Sequence, residues 1–350
     1  MKKPAAAAPR PTLKSIARQT GLSVAAVSLA LRNRPGVSPR TCARVQRAAA
    51  RLGYQQDPQV AKLMAYLRRG SPATAKAALG LLTLFPDPNP WRKSYHLRVI
   101  YEAATHRATQ LGYQLEACWL AEPGMTSARM RDILIARGIE GVVLLGAPVW
   151  VERLDFDFSR FACAATGYSI RTRIHRACQH QYQEMFILLR RLEELGYRRP
   201  ALALAEDSDH RTMHHWSAAF LAAQQVWPRA RRLPILIAPK ITADVFLPWF
   251  ATHRPDAVIS QSPPSPIIRG WLQAAGIAVP QTCGLADLDI DPETDLDCSG
   301  IRQNYEQVAA AAVDLVVGQI QRNERGLPDH PKVVMIEGQW VDGATTAPRG

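Results

Sequence analysis

From residue 79 onward the chain alternates short apolar runs with stretches of helical period, and that alternation restricts it to one broad architecture. Strand-like runs over 79–85, 113–119 and 141–145 are separated by amphipathic stretches near 96–111 and 127–137. A second set opens with a helix near 182–195 and continues with runs at 201–205, 235–238, 257–260 and 282–285. Helices near 212–225, from 243 and from 267 lie between those runs. A helix near 305–323 and a strand over 332–337 close the chain. Strands that alternate with crossover helices predict parallel sheets, and two such sets predict two α/β lobes.

The first 76 residues have a different texture. They carry 15 Lys and Arg against one acid, Asp57, whereas the remainder is nearly neutral, so almost all of the net charge of +13 lies at the front. A polycation joined to a neutral body points to a polyanionic partner, nucleic acid or an anionic membrane surface. Within it, Leu13, Ile16, Ala17 and Thr20 have helical spacing, and Gly21 stops that helix. Ser23 is a good N-cap for a second short helix over 24–31, with Val24 or Ala25, Val27 and Leu31 facing inward. A third helix over 40–52 should bury Val45, Ala49 and Leu52 and end at Gly53. A fourth stretch, 57–67, has Pro58 at its first position, and GSPATAKA over 70–77 reads as a linker.

Two helices joined by a three-residue turn with Gly form a helix-turn-helix, whose second helix enters the major groove. A generic three-helix bundle has the same periodicity. The charge favours DNA, because a structural bundle has no need of so basic a segment.

The stretch TLKSIARQTGLSVAAVSLALRNRPGVSPRTCARVQRAAARLGYQQDPQVAKL, residues 12–63, resembles the lactose-repressor (LacI/GalR) family of bacterial regulators. That family begins T-x-x-D-I-A-x-x-A-G-V-S-x-x-T-V-S-R-x-L-N, followed by P-x-V-S and L-G-Y-x-P-N. The likeness continues through YEAATHRATQLGYQLE, ARGIEGVVLLG, LEELGYRRPALAL, GLADLDI and SGIRQNYEQVAAAAVDLVVGQI. It implies a disordered basic arm (1–10), an all-α helix-turn-helix domain (11–56) and a hinge helix with linker (57–77). Residues 78–350 would then be a two-lobed α/β body, periplasmic-binding-protein-like of type I, that binds an effector and dimerises.

By the same resemblance Val24, Ala25 and Leu29 face bases, whereas Thr12, Ser23, Ser28 and Asn33 meet phosphates. Leu29 departs from the family, which usually has Arg there, and Arg on guanine is the commonest specific base contact. A leucine reads only shape and thymine methyls, so weaker or differently placed base specificity is expected. Arg32 and Arg34 would add backbone affinity. Leu63 aligns with the hinge leucine that wedges into a minor-groove step; otherwise Leu63, Met64 and Leu67 pack on a partner hinge or the body.

In the body, Asp289 falls on the family's cleft aspartate, an acceptor for sugar hydroxyls, and Gln303 on a segment that crosses between lobes. A solvated loop acid is the simpler reading of Asp289. Trp216 stands where the family often has Arg, and His180 where it often has Asp opening a helix. Tryptophan stacks on a sugar face but makes no charged fork. Trp91 and His96 are expected near the cleft mouth or, equally, as surface or core residues.

Catalytic motifs are missing. Arg211 follows His210 where a metalloprotease pattern needs Glu. DLDIDPETDLDC has Pro292 where a calcium loop needs Gly and Cys298 where it needs Glu. No phosphate-binding or nucleophile-elbow motif is present, and the six cysteines form no C-x-x-C pair. No apolar run reaches a spanning length, and Pro9, Arg10 and Pro11 interrupt any signal-peptide core. The expectation is therefore a cytoplasmic, dimeric, non-enzymatic repressor of a pseudo-palindromic operator, with no cofactor and no membrane partner. Its cleft would take a small-molecule effector, a sugar being one candidate. The competing readings are a nonspecific architectural DNA binder and a solute-binding protein without DNA function.

Overall fold

The computed structural model describes residues 12–31, 37–54 and 77–349. The stretch 57–67, with the expected hinge helix, lies outside the described residues, as do the arm 1–10, Arg32, Asn33 and Leu63. The chain divides into an N-terminal unit, Met1–Lys76 together with Gly318–Glu324, and a body of Ala77–Val317 with Arg325–Gly350.

In the N-terminal unit α1 (Leu13–Thr20), α2 (Val24–Leu31) and α3 (Pro39–Leu52) pack around Ile16, Ala17, Val27, Ala30, Val45, Ala48 and Ala49. Each start has a physical cause. The Thr12 hydroxyl accepts from the Ser15 amide, and the Ser15 side chain accepts in turn from the Thr12 amide. Ser23 caps α2 through the Ala26 amide at 3.1 Å, and Ser38 caps α3 through Thr41, with Pro39 in the first helical position. Gly21 takes φ +65°, a left-handed conformation that lets Leu22 N–H reach the Ala17 carbonyl and close α1. Some expectations shift. Of the pair Val24 or Ala25, Val24 is 40% exposed; Ala30 rather than Leu31 is the fully buried residue at the end of α2, and Leu52 is only half-buried.

The body opens with β1 (Ala77–Thr83), α4 (Tyr95–Gln110), β2 (Tyr113–Trp119), α5 (Ser127–Ala136) and β3 (Gly141–Leu144). Then come β4 (Ala162–Thr166) and β5 (His175–Gln179), two strands absent from the sequence expectation. After α6 (Gln181–Glu194) the second lobe runs β6 (Pro200–Ala205), α7 (Glu206–Arg211), α8 (His215–Gln225), β7 (Leu236–Ala238) and α9 (Ala243–His253). It continues with β8 (Ala257–Ser260), α10 (Ser265–Ala274), β9 (Gly284–Asp287) and β10 (Ser299–Arg302). The chain closes with α11 (Tyr305–Arg322), β11 (Val333–Ile336) and β12 (Gln339–Val341).

Among the described residues there are two six-stranded sheets, ordered β11-β5-β4-β3-β1-β2 and β12-β10-β9-β8-β6-β7. Every pairing is parallel except β10 with β12. The chain passes between the lobes three times, after β5, after β10 and after β11. The first lobe is packed by Leu82, Leu134, Leu144, Phe158 and Phe161. In the second, Leu188, Leu202, Trp216 and Phe220 form one core and Phe246, Ile268 and Leu272 another.

Candidate DNA-reading helix and ligand cleft

The described residues before Ala77 include no acid, while Lys14, Arg18, Arg40, Arg44, Arg47 and Arg51 are all exposed. Such a surface attracts phosphates with nothing to oppose it. On α2, Val24 and Ser28 are four residues apart and so share a face, with Leu29 one residue further round. Val24 is exposed and Ser28 and Leu29 are half-buried, whereas Val27 and Ala30 point into the core. Ala25 sits in the same first turn. Thr12 and Ser23, both exposed, serve as helix caps.

In the body, loops at the carboxyl ends of the strands face one another, the usual place for a ligand crevice in open parallel sheets. Three ring and ion-pair contacts span the lobes there. Trp150, after β3, stacks on His210 of α7 with ring centres 4.0 Å apart, and the Arg171 guanidinium covers the other side of the indole at 4.0 Å. Tyr168, after β4, meets His215 edge-on at 4.7 Å. Arg98 of α4 pairs with Glu293, after β9, at 2.5 Å. A recess of about 370 Å³ beside the stack is lined by Glu206, Asp207, His210, His214 and Pro239.

Beneath His210 the backbone is strained. Met213 and His214 both adopt positive φ, +57° and +59°, between α7 and α8, and neither is glycine. The conformation is held by the His214 ring nitrogen Nδ1, 2.7 Å from Oδ2 of the buried Asp209. Asp209 Oδ1 has no hydrogen-bond partner among the described residues. Loss of water around its ring lowers the His215 pKa, helped by His180 and His214 nearby.

Asp289 follows β9 and is half-buried. Its Oδ2 accepts from the Tyr305 hydroxyl at 2.5 Å, and its backbone N–H donates to Asp287 Oδ1 at 3.0 Å. Enclosure of the carboxyl pushes its pKa up to about 7, with Asp287, Asp291 and Asp295 adding repulsion and the Tyr305 hydroxyl opposing it. His96 lies across from Tyr305, ring centres 5.7 Å apart, and its Nδ1 is 3.0 Å from Ser94 Oγ.

The remaining candidates are buried or half-buried. Trp91 is buried and stacks flat on Tyr101 at 4.3 Å. Trp216, in the first turn of α8, is buried in the second lobe's core, and its indole N–H has no partner among the described residues. His180 caps α6, its Nδ1 accepting from the Gln183 amide at 3.3 Å. Gln303 is buried, and its amide nitrogen donates to Glu184 and to the Leu288 carbonyl. Asp289, His96 and Tyr305 are thus brought together, while Trp91 and Trp216 belong to opposite lobes. Trp150, Tyr168, His210 and His215 carry no motif that sequence reasoning could have used, because what unites them is apposition of two lobes.

Cys118, Cys163, Cys178, Cys283 and Cys298 are buried, and none of the six cysteines is joined in a disulfide. Burial pushes the Cys118 thiol up to about 11 and the Cys163 thiol to about 12. No group of three or more metal-binding side chains occurs among the described residues, and no helix among them is long and apolar enough to cross a membrane.

Residues 12–57 match the model of bacterial regulatory proteins of the lacI family, and residues 189–346 that of a periplasmic binding protein-like domain. Among solved structures, the transcriptional regulator CelR in complex with cellobiose is similar over 96% of this chain and 100% of its own, with 18% identity and a TM-score of 0.55. The lac repressor dimer bound to operator and the anti-inducer ONPF is similar over 97% and 100%, at 16% identity and TM-score 0.55. A periplasmic binding protein/LacI transcriptional regulator from Alkaliphilus metalliredigens QYMF, complexed with D-xylulofuranose, is similar over 77% and 98%, again at 16% and 0.55. At such identities the likeness concerns the fold. No curated protein matches the chain.

Proposed function

We propose, for a chain that belongs to the LacI family of bacterial regulatory proteins, the role of a dimeric operator-binding repressor whose hold on DNA is set by a small molecule in the inter-lobe cleft. The observation that carries this reading is the acid-free, base-studded helix-turn-helix unit in the same chain as a two-lobed body. A dimer places two α2 helices in successive major grooves of a two-fold symmetric site.

In this reading Val24, Ala25 and Leu29 meet base edges. Thr12, Ser23, Ser28, Arg32 and Asn33 fix register on phosphates, and Leu63 wedges the minor groove. Leu29 gives apolar contact to thymine methyls in place of a guanidinium fork. The effector hydrogen-bonds Asp289 and lies against the aromatic faces that meet between the lobes. His96 and His180 stand beside it, and Trp91, Trp216 and Gln303 shape its walls. Sugars suit such a site, since carboxylates accept from hydroxyls and aromatic rings cover the apolar sugar face. Two similar regulators carry cellobiose and D-xylulofuranose. Closure on the ligand biases the headpieces, a coupling typically worth about 1–3 kcal/mol.

Leu29 also favours a second reading, an architectural binder indifferent to sequence. Competition at about 150 mM salt separates the two, because a sequence-specific protein keeps a ratio of roughly 10³ or more between its site and random duplex. The expected result is such a ratio for a fragment recovered from genomic DNA by the full chain, and no DNA binding once residues 1–76 are removed. A ratio near one supports the architectural reading instead. Duplex binding by the truncated body contradicts both.

A further inference from the structure

The three inter-lobe crossings meet at one side chain. Glu184, in the first turn of α6, is completely buried. Its Oε1 accepts from the Gly338 amide at 3.0 Å, and Gly338 lies in the crossing from β11 to β12. Its Oε2 accepts from Gln303 Nε2 at 2.9 Å, and Gln303 lies in the crossing from β10 to α11. Glu184 itself follows the crossing from β5 to α6, where His180 N–H donates to the Ile336 carbonyl at 2.8 Å. Asn304 Nδ2 donates to the Glu337 carbonyl and ties the other two crossings to each other. The fit is close. A Cβ on Gly338 would lie 2.6 Å from Ile301 Cγ2 and 3.0 Å from both the Arg302 carbonyl and Glu184 Oε1, so the glycine is what lets the third crossing reach the carboxylate.

The hydrogen-bond pattern suits one protonation state of Glu184 and opposes the other. In the structure both oxygens of Glu184 accept, which is the pattern of an ionised carboxylate. The Gln303 amide is oriented by its second bond, Nε2 to the Leu288 carbonyl at 2.8 Å, and this leaves Gln303 Oε1 buried without a partner among the described residues. A proton on Glu184 Oε2 would set donor against donor. Turning the amide then supplies Oε1 as acceptor for the new hydroxyl, but it withdraws Nε2 from the Leu288 carbonyl and sets Oε1 against that oxygen, so the Leu288 segment must shift. Leu288 directly precedes Asp289, so the exchange reaches the cleft.

We infer that Glu184 is the positioning residue of the inter-lobe hinge, and that a proton exchanged at its carboxyl, with the Gln303 amide turning in step, switches the crossings between two registers. The inference rests on the reading of this body as a cleft that opens and closes. Burial pushes the Glu184 carboxyl up to about 8, opposed by the bonds from Gln303 and Gly338, so both forms are populated near neutrality. The other titratable groups that face it are Asp289 and Glu337, which repel its charge, together with Cys178 and Tyr305.

Inter-lobe distances between spin labels at Arg129 of α5 and Leu221 of α8, both exposed, test this in the full chain on a Cys42→Ser background. The wild type should exchange between two distance populations with a midpoint near pH 8. Glu184→Gln, a neutral isostere whose amide can donate to the turned Gln303, should stay in the low-pH population from pH 6 to 9.5. Gln303→Met keeps the carboxyl but removes a bond to its charged form, so the midpoint should move up. A wild type without pH-dependent exchange, a Glu184→Gln protein that retains it, or an unmoved midpoint in Gln303→Met each overturns the inference. Neither operator nor effector is needed, so failure here is distinct from failure of the regulator reading.

Discussion

At the residue scale, Asp289 combines a cleft position with an unusual charge state. Its carboxyl titrates near 7 and that of Glu184 near 8, against ordinary values of 3.8 and 4.5. The unfolded chain therefore loses these protons at lower pH than the folded one, and stability falls as pH rises through that window. The melting temperature of the body should drop between pH 5 and 8, and Asp289→Asn should flatten part of that slope, as calorimetry across pH would record. The fold should survive, because the asparagine Oδ1 still accepts from Tyr305. An unflattened slope would place the proton uptake elsewhere. In the sequence, Asp289 stands out only through its alignment with a family motif. Its raised pKa is not legible there, since it depends on burial of the carboxyl in the fold and on repulsion from the neighbouring acids.

At the scale of elements, periodicity locates most of the body. The run 113–119 coincides with β2, and α6 and α11 fall within a residue of their expected starts. The strands that escape are instructive. Residues 162–166 read ACAAT, a run too small in side-chain volume to look like a strand, and β5 reads HRACQ, with polar residues buried by the crossing. The helix expected over 212–225 starts only at His215, and a separate helix, α7, precedes it over Glu206–Arg211; the two are parted at Met213 and His214 by a left-handed turn that the Asp209 to His214 contact stabilises and no local propensity favours. That break positions His210 against Trp150. Replacing Trp150 by alanine removes the stack and the platform for Arg171, interactions worth about 0.5–1.5 kcal/mol for an aromatic pair. It should lengthen the mean inter-lobe distance between the two label sites without lowering the melting temperature by more than a few degrees. An unchanged distance would show that the remaining contacts, Arg98 with Glu293, Tyr168 with His215 and Tyr305 with Asp289, suffice to hold the lobes together.

For the whole molecule, the division of labour is the most legible feature, because charge alone partitions the chain. Fifteen bases and one acid precede residue 77, and the body is close to neutral. The cleft contacts are the least legible. They join residues as far apart in sequence as Arg98 and Glu293, and no periodicity links such pairs. The same limit applies to specificity. By its resemblance to the lactose-repressor family the chain has Leu29 where that family usually has arginine, and the structure leaves it half-buried on the α2 face beside Val24 and Ser28. The operator-binding reading stands or falls on selection of bound duplexes from a random library by the full-length protein, at about 150 mM salt so that nonspecific attraction is suppressed. The expected product is a two-fold symmetric sequence whose half-sites carry thymine, rather than guanine, opposite Leu29. Enrichment of no sequence, or of a site without two-fold symmetry, would contradict it.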